Sequence, residues 1–221
     1  MPNNQMISVL LADDHPSTRA GVRQILDRAP EIQIIGEAEN GVETRSMLET
    51  LRPQVVLLDL QMQNLAPAAF AKWAHENFPR TIILVLTYHR NVSYMAGMLR
   101  AGAAGYLHKD IESSRLIEFV RRAADGENLF SREQLFEAQQ WEAEVGDKIK
   151  RLTLREIDIV KLLIKGKSNS AIAVALNITK KTVVFHLTHI SSKLQTGSRF
   201  ETTLWGMDNL LDNLDIFPYL T

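Results

Sequence analysis

The chain contains no cysteine. That absence excludes a disulfide scaffold, a thiolate zinc site, an iron–sulfur cluster and a cysteine nucleophile. Long apolar runs are missing too. None approaches the roughly 18 residues that a membrane-spanning helix requires. The opening stretch, MPNNQMISVLLADDHP, meets Asp13 and Asp14 too early to read as a secretory signal. The expectation is a cytoplasmic protein with no membrane partner. What remains is ordinary: 45% hydrophobic, 23% charged and 7% aromatic residues, which argues against a disordered or collagen-like chain. Its 221 residues leave room for one large or two small domains.

Net charge is also scarce, at −1, but it is unevenly placed. Residues 148–205 hold 11 Lys and Arg against 3 Asp and Glu, a net +8. The last 16 residues carry −3 and residues 1–147 carry −6. An acidic body joined to a small basic module suggests a control domain coupled to a domain that binds a polyanion.

Hydrophobic periodicity divides the chain in the same way. Ile7–Ala12, Ile32–Ala38, Val55–Leu58, Thr81–Leu86 and Ala104–Leu107 are short apolar runs, as strands covered on both faces would be. Helical patterns follow each of them: 16–29, 40–51 (with Val42, Leu48 and Leu51 as candidate core residues), 66–77, 92–100 and 112–124. Five strand–helix units in succession predict a doubly wound, five-stranded parallel sheet over residues 1–126. A charged, partly helical linker spans 127–147. Thr153 with Glu156 then forms a capping-box pattern. It opens a small all-helical domain over 148–205, with helices at 153–165, 168–176 and 179–194 and a fourth beginning near Ser198. An acidic but apolar extension, 206–221, closes the chain.

In an open parallel sheet, function gathers at the carboxyl ends of the strands. Asp13 and Asp14 follow the first strand, Asp59 the third, Thr87 the fourth and Lys109 the fifth. Three carboxylates joined by water and a backbone carbonyl suit Mg²⁺, a hard cation that prefers six oxygens. A carboxylate beside such an ion can attack phosphorus. Thr87 and Lys109 are the types that neutralise and hydrogen-bond transferred oxygens.

The segments ADDHP (12–16), VVLLD (55–59), LTYH (86–89) and AGAAGYLHKD (101–110) resemble the receiver domain of two-component response regulators, a CheY-like, flavodoxin-like fold. The resemblance implies Asp59 as phospho-acceptor and a histidine kinase as donor. It implies Mg²⁺ held by Asp13, Asp14, Asp59 and the Gln61 carbonyl. Thr87 and Lys109 would coordinate the phosphoryl group, and Tyr106 would be an aromatic switch with Thr87 as its hydroxyl partner. One departure stands out. The family usually has Met–Pro after the acceptor and a Gly four residues beyond that Pro. Here Gln63 follows Met62, and Pro67 stands where the Gly usually is. The loop must take another path, because Pro67 fixes its own φ and restricts Ala66. A haloacid-dehalogenase-like phosphatase would need Asp-x-Asp at a strand end, and Asp59-Leu60-Gln61 lacks the second Asp.

The stretch 152–199, LTLREIDIVKLLIKGKSNSAIAVALNITKKTVVFHLTHISSKLQTGSR, resembles the helix-turn-helix effector domain of LuxR/NarL-type regulators. The resemblance implies double-stranded DNA as a partner and the helix at 179–194 as the one entering the major groove. Lys180, Lys181, Thr182, Val184, Phe185, Thr188 and Lys193 are the candidate DNA contacts. Val184 stands where relatives usually carry Lys or Arg. Val184 and Phe185 have no donor for guanine but can touch a thymine methyl. The expected function is a NarL/FixJ-type transcription regulator that is not itself an enzyme beyond self-phosphorylation and slow self-dephosphorylation. It would form a homodimer when phosphorylated. The alternative is a regulator or scaffold with weakened sequence readout, acting through protein contacts. The apolar extension would complete the core or shield the basic helix.

Overall fold

The structure, a computed structural model, describes residues 6–210. It divides into two compact units between Phe136 and Glu137. The first contains β1 (Ile7–Ala12), α1 (Pro16–Leu26), β2 (Ile32–Ala38), α2 (Gly41–Leu51), β3 (Val55–Leu58), α3 (Pro67–Asn77), β4 (Ile82–Thr87), α4 (Val92–Arg100), β5 (Gly105–His108) and α5 (Ser113–Ala124). The five strands are all parallel, in the order β2-β1-β3-β4-β5. Alternating side chains build two layers. Val9, Leu11, Val55, Leu57, Leu84 and Leu86 point into one core with Val22 and Leu26 of α1 and Leu116 and Val120 of α5. Their neighbours Leu10, Val56, Leu58 and Val85 are equally buried, on the face where α2, α3 and α4 pack. Each such Leu or Val contributes about 1.5–3 kcal/mol through removal from water.

The strand order reverses at β1, whose neighbours β2 and β3 lie on either side. Pairing of Ala12 with Leu58 sets the residues after β1 beside those after β3. That register brings Asp13, Asp14 and Asp59 together at one end of the sheet.

The element boundaries and part of the expected core need correction. The first helix stops at Leu26, not Ala29, and the last two strands are shifted by one residue to Ile82–Thr87 and Gly105–His108. Leu48 is buried, but Val42 is 64% exposed and Leu51 40% exposed. Only one stripe of α2 meets the sheet, and Val42 falls off it.

The unusual loop after β3 does take its own path. Asn64 adopts a left-handed conformation, φ 56°. The Gln63 carbonyl accepts a hydrogen bond from the Gly41 amide at 2.9 Å. The loop so crowds the start of α2 that a Cβ on Gly41 would lie 2.2 Å from the Asn64 carbonyl oxygen. Pro67 is accommodated at the first turn of α3, where its missing N–H costs nothing.

The stretch 127–147 is shared between the units. Leu129 and Phe130 are buried in the first, and the Leu129 amide donates to Ala104 beside β5 at 2.6 Å. The division falls inside α6 (Arg132–Trp141). A π-helical segment (Glu142–Gly146) and α7 (Asp147–Lys150) follow.

The second unit continues with α8 (Leu154–Ile164), α9 (Asn169–Ala175), α10 (Lys180–Leu194) and α11 (Arg199–Leu210). Its core gathers Ile149, Ile157, Val160, Ile172, Val183, Ile190 and Leu194. Ser168 and Thr179 cap α9 and α10 through their side chains. Between those helices Asn177 takes φ 52°, a conformation its short polar side chain tolerates. Gly206 lets α11 approach α8: a Cβ there would lie 2.9 Å from Val160 Cγ1. The part of the C-terminal extension beyond Leu210, and with it the question of shielding, lies outside the described residues.

Candidate functional site

Asp59 ends β3 with 3% of its surface exposed, and Asp13 follows β1 at 2%. Two burials of this kind would be prohibitive without a counter-charge. Lys109, just past β5, supplies it. Its ammonium lies 2.6 Å from Asp13 Oδ2 and 3.0 Å from Asp59 Oδ2, with the side chain 3% exposed. Burial pulls the Lys109 pKa down, but hydrogen bonds and charge from Asp13 and Asp59 outweigh it and raise the pKa. The group is therefore a fixed cation. The other Asp59 oxygen, Oδ1, accepts from the Leu60 amide at 2.8 Å, and Asp13 Oδ1 accepts from the His15 amide at 2.9 Å.

Asp14 completes the cluster. Its Oδ1 lies 2.6 Å from His15 Nδ1, yet it makes no aligned hydrogen bond although the atom is buried. Asp13, Asp14, His15 and Asp59 each bring one ligand atom within 4.8 Å of the others. Three carboxylates against one ammonium leave a local charge of −2. A buried carboxylate oxygen with no aligned hydrogen bond, in a site rich in oxygen ligands with a double negative excess, fits a hard divalent cation. Gln61 lies two residues beyond Asp59 and is exposed.

Thr87, fully buried, ends β4, and its Oγ1 accepts from the His89 amide at 3.3 Å. Tyr106 is buried in β5, and its hydroxyl donates to the His89 carbonyl at 3.0 Å. Tyr106 and Thr87, the expected switch pair, meet at the backbone of His89. Both side chains hold the backbone of His89, one by its amide and one by its carbonyl. Burial, and then the Asp59 charge, push the Tyr106 phenol well above its ordinary pKa. It remains a donor.

Two residues of this region were missed in the sequence. Arg19, with its side chain 8% exposed, donates to the Asp13 carbonyl at 2.7 Å and to Glu37 at 3.3 Å, and pairs with Glu39. It anchors the backbone that carries the acidic pair. Its inward position on α1, one turn past His15, was the available signal. His15 is the other, and its signal is its place in the ADDHP segment directly after the acidic pair.

On the second unit the candidate DNA contacts separate. Lys180, Lys181, Val184, Phe185 and Thr188 are exposed along α10, opposite the buried Val183, Ile190 and Leu194. Thr182 is turned partly inward, its hydroxyl 2.8 Å from that of Thr179 at the cap. Lys193 does not belong with the free cations. Its ammonium lies 2.6 Å from Glu156 Oε2, whose side chain is 4% exposed. Glu156 also closes the capping box by accepting from the Thr153 amide at 2.7 Å. Lys193 is thus a brace between α10 and the start of α8. Arg155 and Arg199 are similarly engaged, on the Leu176 carbonyl and on Asn169 and the Lys167 carbonyl.

Comparison with known proteins places both units in known families. The family described as "Response regulator receiver domain" matches residues 9–121, and "Bacterial regulatory proteins, luxR family" matches 150–205. The chain is 35% identical over 210 residues to the nitrate/nitrite response regulator protein NarL of Escherichia coli strain K12, covering 93% of this chain and 97% of that protein. It is 34% identical over 207 residues to NarP of the same strain, with 92% and 96% covered. Among solved structures, the response regulator ChrA of a heme-sensing two-component system aligns with TM-score 0.54 at 32% identity, over 93% of this chain and 98% of that one. Among the described residues, no helix is long and apolar enough to cross a membrane. The chain belongs to the NarL/FixJ family of two-component response regulators, a receiver domain followed by a LuxR-type DNA-binding domain.

Proposed function

We propose that this regulator is switched by phosphoryl transfer from a histidine kinase to Asp59, and that the switched form dimerises and binds duplex DNA through α10. The observation that carries the first part is the buried Asp59 carboxylate with Lys109 at 3.0 Å and Asp13 2.6 Å from the same ammonium. An Asp59 oxygen attacks the phosphorus of a phosphohistidine. The O–P bond forms as the P–N bond breaks, and the imidazole leaves and takes a proton from solvent. Lys109, held charged, meets the negative charge on the phosphoryl oxygens, and the Thr87 hydroxyl donates to one of them. Asp13, Asp14, Asp59 and the Gln61 carbonyl would hold Mg²⁺, which when bound adds charge neutralisation at those oxygens. Any draw on Thr87 changes what it offers the His89 amide, and Tyr106 holds the other end of that residue. This is a route from Asp59 to the surface between β4 and α4. The protein turns over no separate substrate; self-phosphorylation from small donors and slow self-hydrolysis are the extent of its chemistry.

The test is labelling with a small acyl phosphate and Mg²⁺, read by mass spectrometry. One phosphoryl group is expected, on Asp59, and Asp59→Asn should abolish it. A phosphate mapped elsewhere on the wild-type protein overturns the assignment. Light scattering on matched samples should show a larger dimer fraction after phosphorylation, and equal mass in both states overturns the coupling to dimerisation.

A further inference from the structure

We propose that α10 discriminates DNA by the C5-methyl groups of major-groove pyrimidines, with Val184 and Phe185 as the reading side chains. The proposal rests on the reading of α10 as the helix that enters the groove. Val184 is 48% exposed and Phe185 59% exposed, while Val183, Ile190 and Leu194 supply the packing on the opposite side. The exposed pair therefore contributes little to the core. Val184 and Phe185 thus place two adjoining apolar side chains in water on the outer face of the helix.

Phe185 sits beside two rings of its own helix. Its ring centroid lies 4.3 Å from that of His189 and 5.9 Å from that of His186. Two hydroxyls of this helix are engaged within it. The Thr188 hydroxyl donates to the Val184 carbonyl at 3.1 Å, and the Thr182 hydroxyl is paired with Thr179. Lys193 is committed to Glu156. Lys180 and Lys181 remain exposed in the first turn, suited to phosphates. The net +8 of residues 148–205 makes a polyanion the fitting occupant. Within the major groove, the apolar feature of a base edge is the C5-methyl of thymine. 5-Methylcytosine presents the same group.

The probe is the full-length protein, treated with acyl phosphate and Mg²⁺, titrated by fluorescence anisotropy against four duplexes of equal length. These are alternating A·T, the same duplex with deoxyuridine replacing thymidine, alternating G·C, and the same with 5-methylcytosine replacing cytosine. The thymine duplex should bind tighter than the uracil duplex by about fourfold for each methyl covered, the equivalent of ~0.8 kcal/mol. Methylation of cytosine should change affinity in the same direction. Val184→Ala and Phe185→Ala, both at exposed positions, should bring each ratio towards one while leaving the salt dependence unchanged. Equal affinity within each pair, with salt-dependent binding retained, overturns methyl reading and leaves the DNA assignment standing. A thymine-to-uracil ratio that survives both substitutions overturns the choice of residues. Failure to bind all four duplexes overturns the DNA assignment itself, and with it this proposal.

Discussion

At the carboxyl ends of β1, β3 and β5, two carboxylates and an ammonium are taken out of water before any ligand arrives. Along the outer face of α10, two large apolar side chains are left in it. The receiver site is organised by the fold. Parallel register sets Asp13 beside Asp59, Arg19 fixes the Asp13 backbone, and Lys109 offsets the charge. Its chemistry is largely built in. The α10 face keeps its apolar side chains outside the core, so on the proposed reading its energy is gained on contact with DNA. Mutations in the first should act nearly all-or-none, and mutations in the second by small, partner-dependent steps.

The sharpest break of this comparison after Asp59→Asn is at Asp14. Its Oδ1 is buried without an aligned partner, so removing it takes away an oxygen ligand and leaves little else unsatisfied. Asp14→Ala should raise the Mg²⁺ concentration for half-maximal labelling by at least roughly tenfold, since even residues outside the ligand shell shift metal affinity on that scale. A Mg²⁺ titration of the labelling reaction reads it. An unchanged midpoint would show that Asp14 is a solvated neighbour and that the metal, if any, is held elsewhere.

How much of this was legible beforehand follows the same division. Strand ends were readable because continuous apolar runs stop where the chain leaves the sheet, and Asp13, Asp14, Asp59, Thr87 and Lys109 all stand at such stops. Side-chain pairing was less readable. Tyr106 and Thr87 are neighbours through His89, and nothing in a linear sequence shows that a backbone group stands between them. Lys193 looked like any other cation of a basic helix. Its pairing with Glu156, 37 residues away, depends on how α10 crosses the start of α8. Val42 was misplaced because an apolar residue near a helix start is compatible with either side of the stripe.

The Glu156–Lys193 pair lies between the two extremes, with one partner buried and the other 29% exposed. Lys193→Met keeps most of the stem, which packs like an aliphatic chain, but leaves Glu156 without its cation. Breaking a buried pair costs about 3–5 kcal/mol. Partial exposure of Lys193 reduces the expectation to roughly 1–3 kcal/mol, several degrees in the melting temperature of a domain this size. The pH dependence has a definite sign. Burial pushes the Glu156 carboxyl up, but hydrogen bonds from Lys193 and Thr153 outweigh it and hold its pKa below the ordinary 4.5. The folded state thus prefers the carboxylate. The stabilisation is complete above the unfolded value and is lost as pH falls through the depressed folded one. Calorimetry of the full-length protein should show that Lys193→Met removes much of this acid-side loss. Identical melting at neutral pH would return Lys193 to the pool of phosphate-binding cations.

The smallest expected effect is the most informative about the second unit. Val184 stands on the exposed face of α10, where relatives in this family usually carry a long cation. A valine reaches neither a phosphate nor a guanine edge with a charged donor. Val184→Lys should therefore tighten DNA binding by a few-fold at low salt and steepen the slope of log affinity against log salt by about 0.9, the equivalent of one phosphate contact. If the new ammonium reaches guanine N7 or O6 instead, the slope changes less and the preference moves from A·T to G·C sequence. That gain has a ceiling of about 1–3 kcal/mol, the range for a good bidentate contact, which a lysine reaches only by bridging both acceptors. In either case the substitution should abolish Val184's share of the thymine-over-uracil preference, because the methyl contact is exchanged for a charge. A salt titration of anisotropy on the A·T and G·C duplexes separates the two outcomes. No change in slope and no change in preference, with the fold intact by circular dichroism, would mean that this face of α10 does not enter the groove. The apolar pair would then be a protein-binding surface, and the domain would act through contacts with other proteins more than through sequence readout.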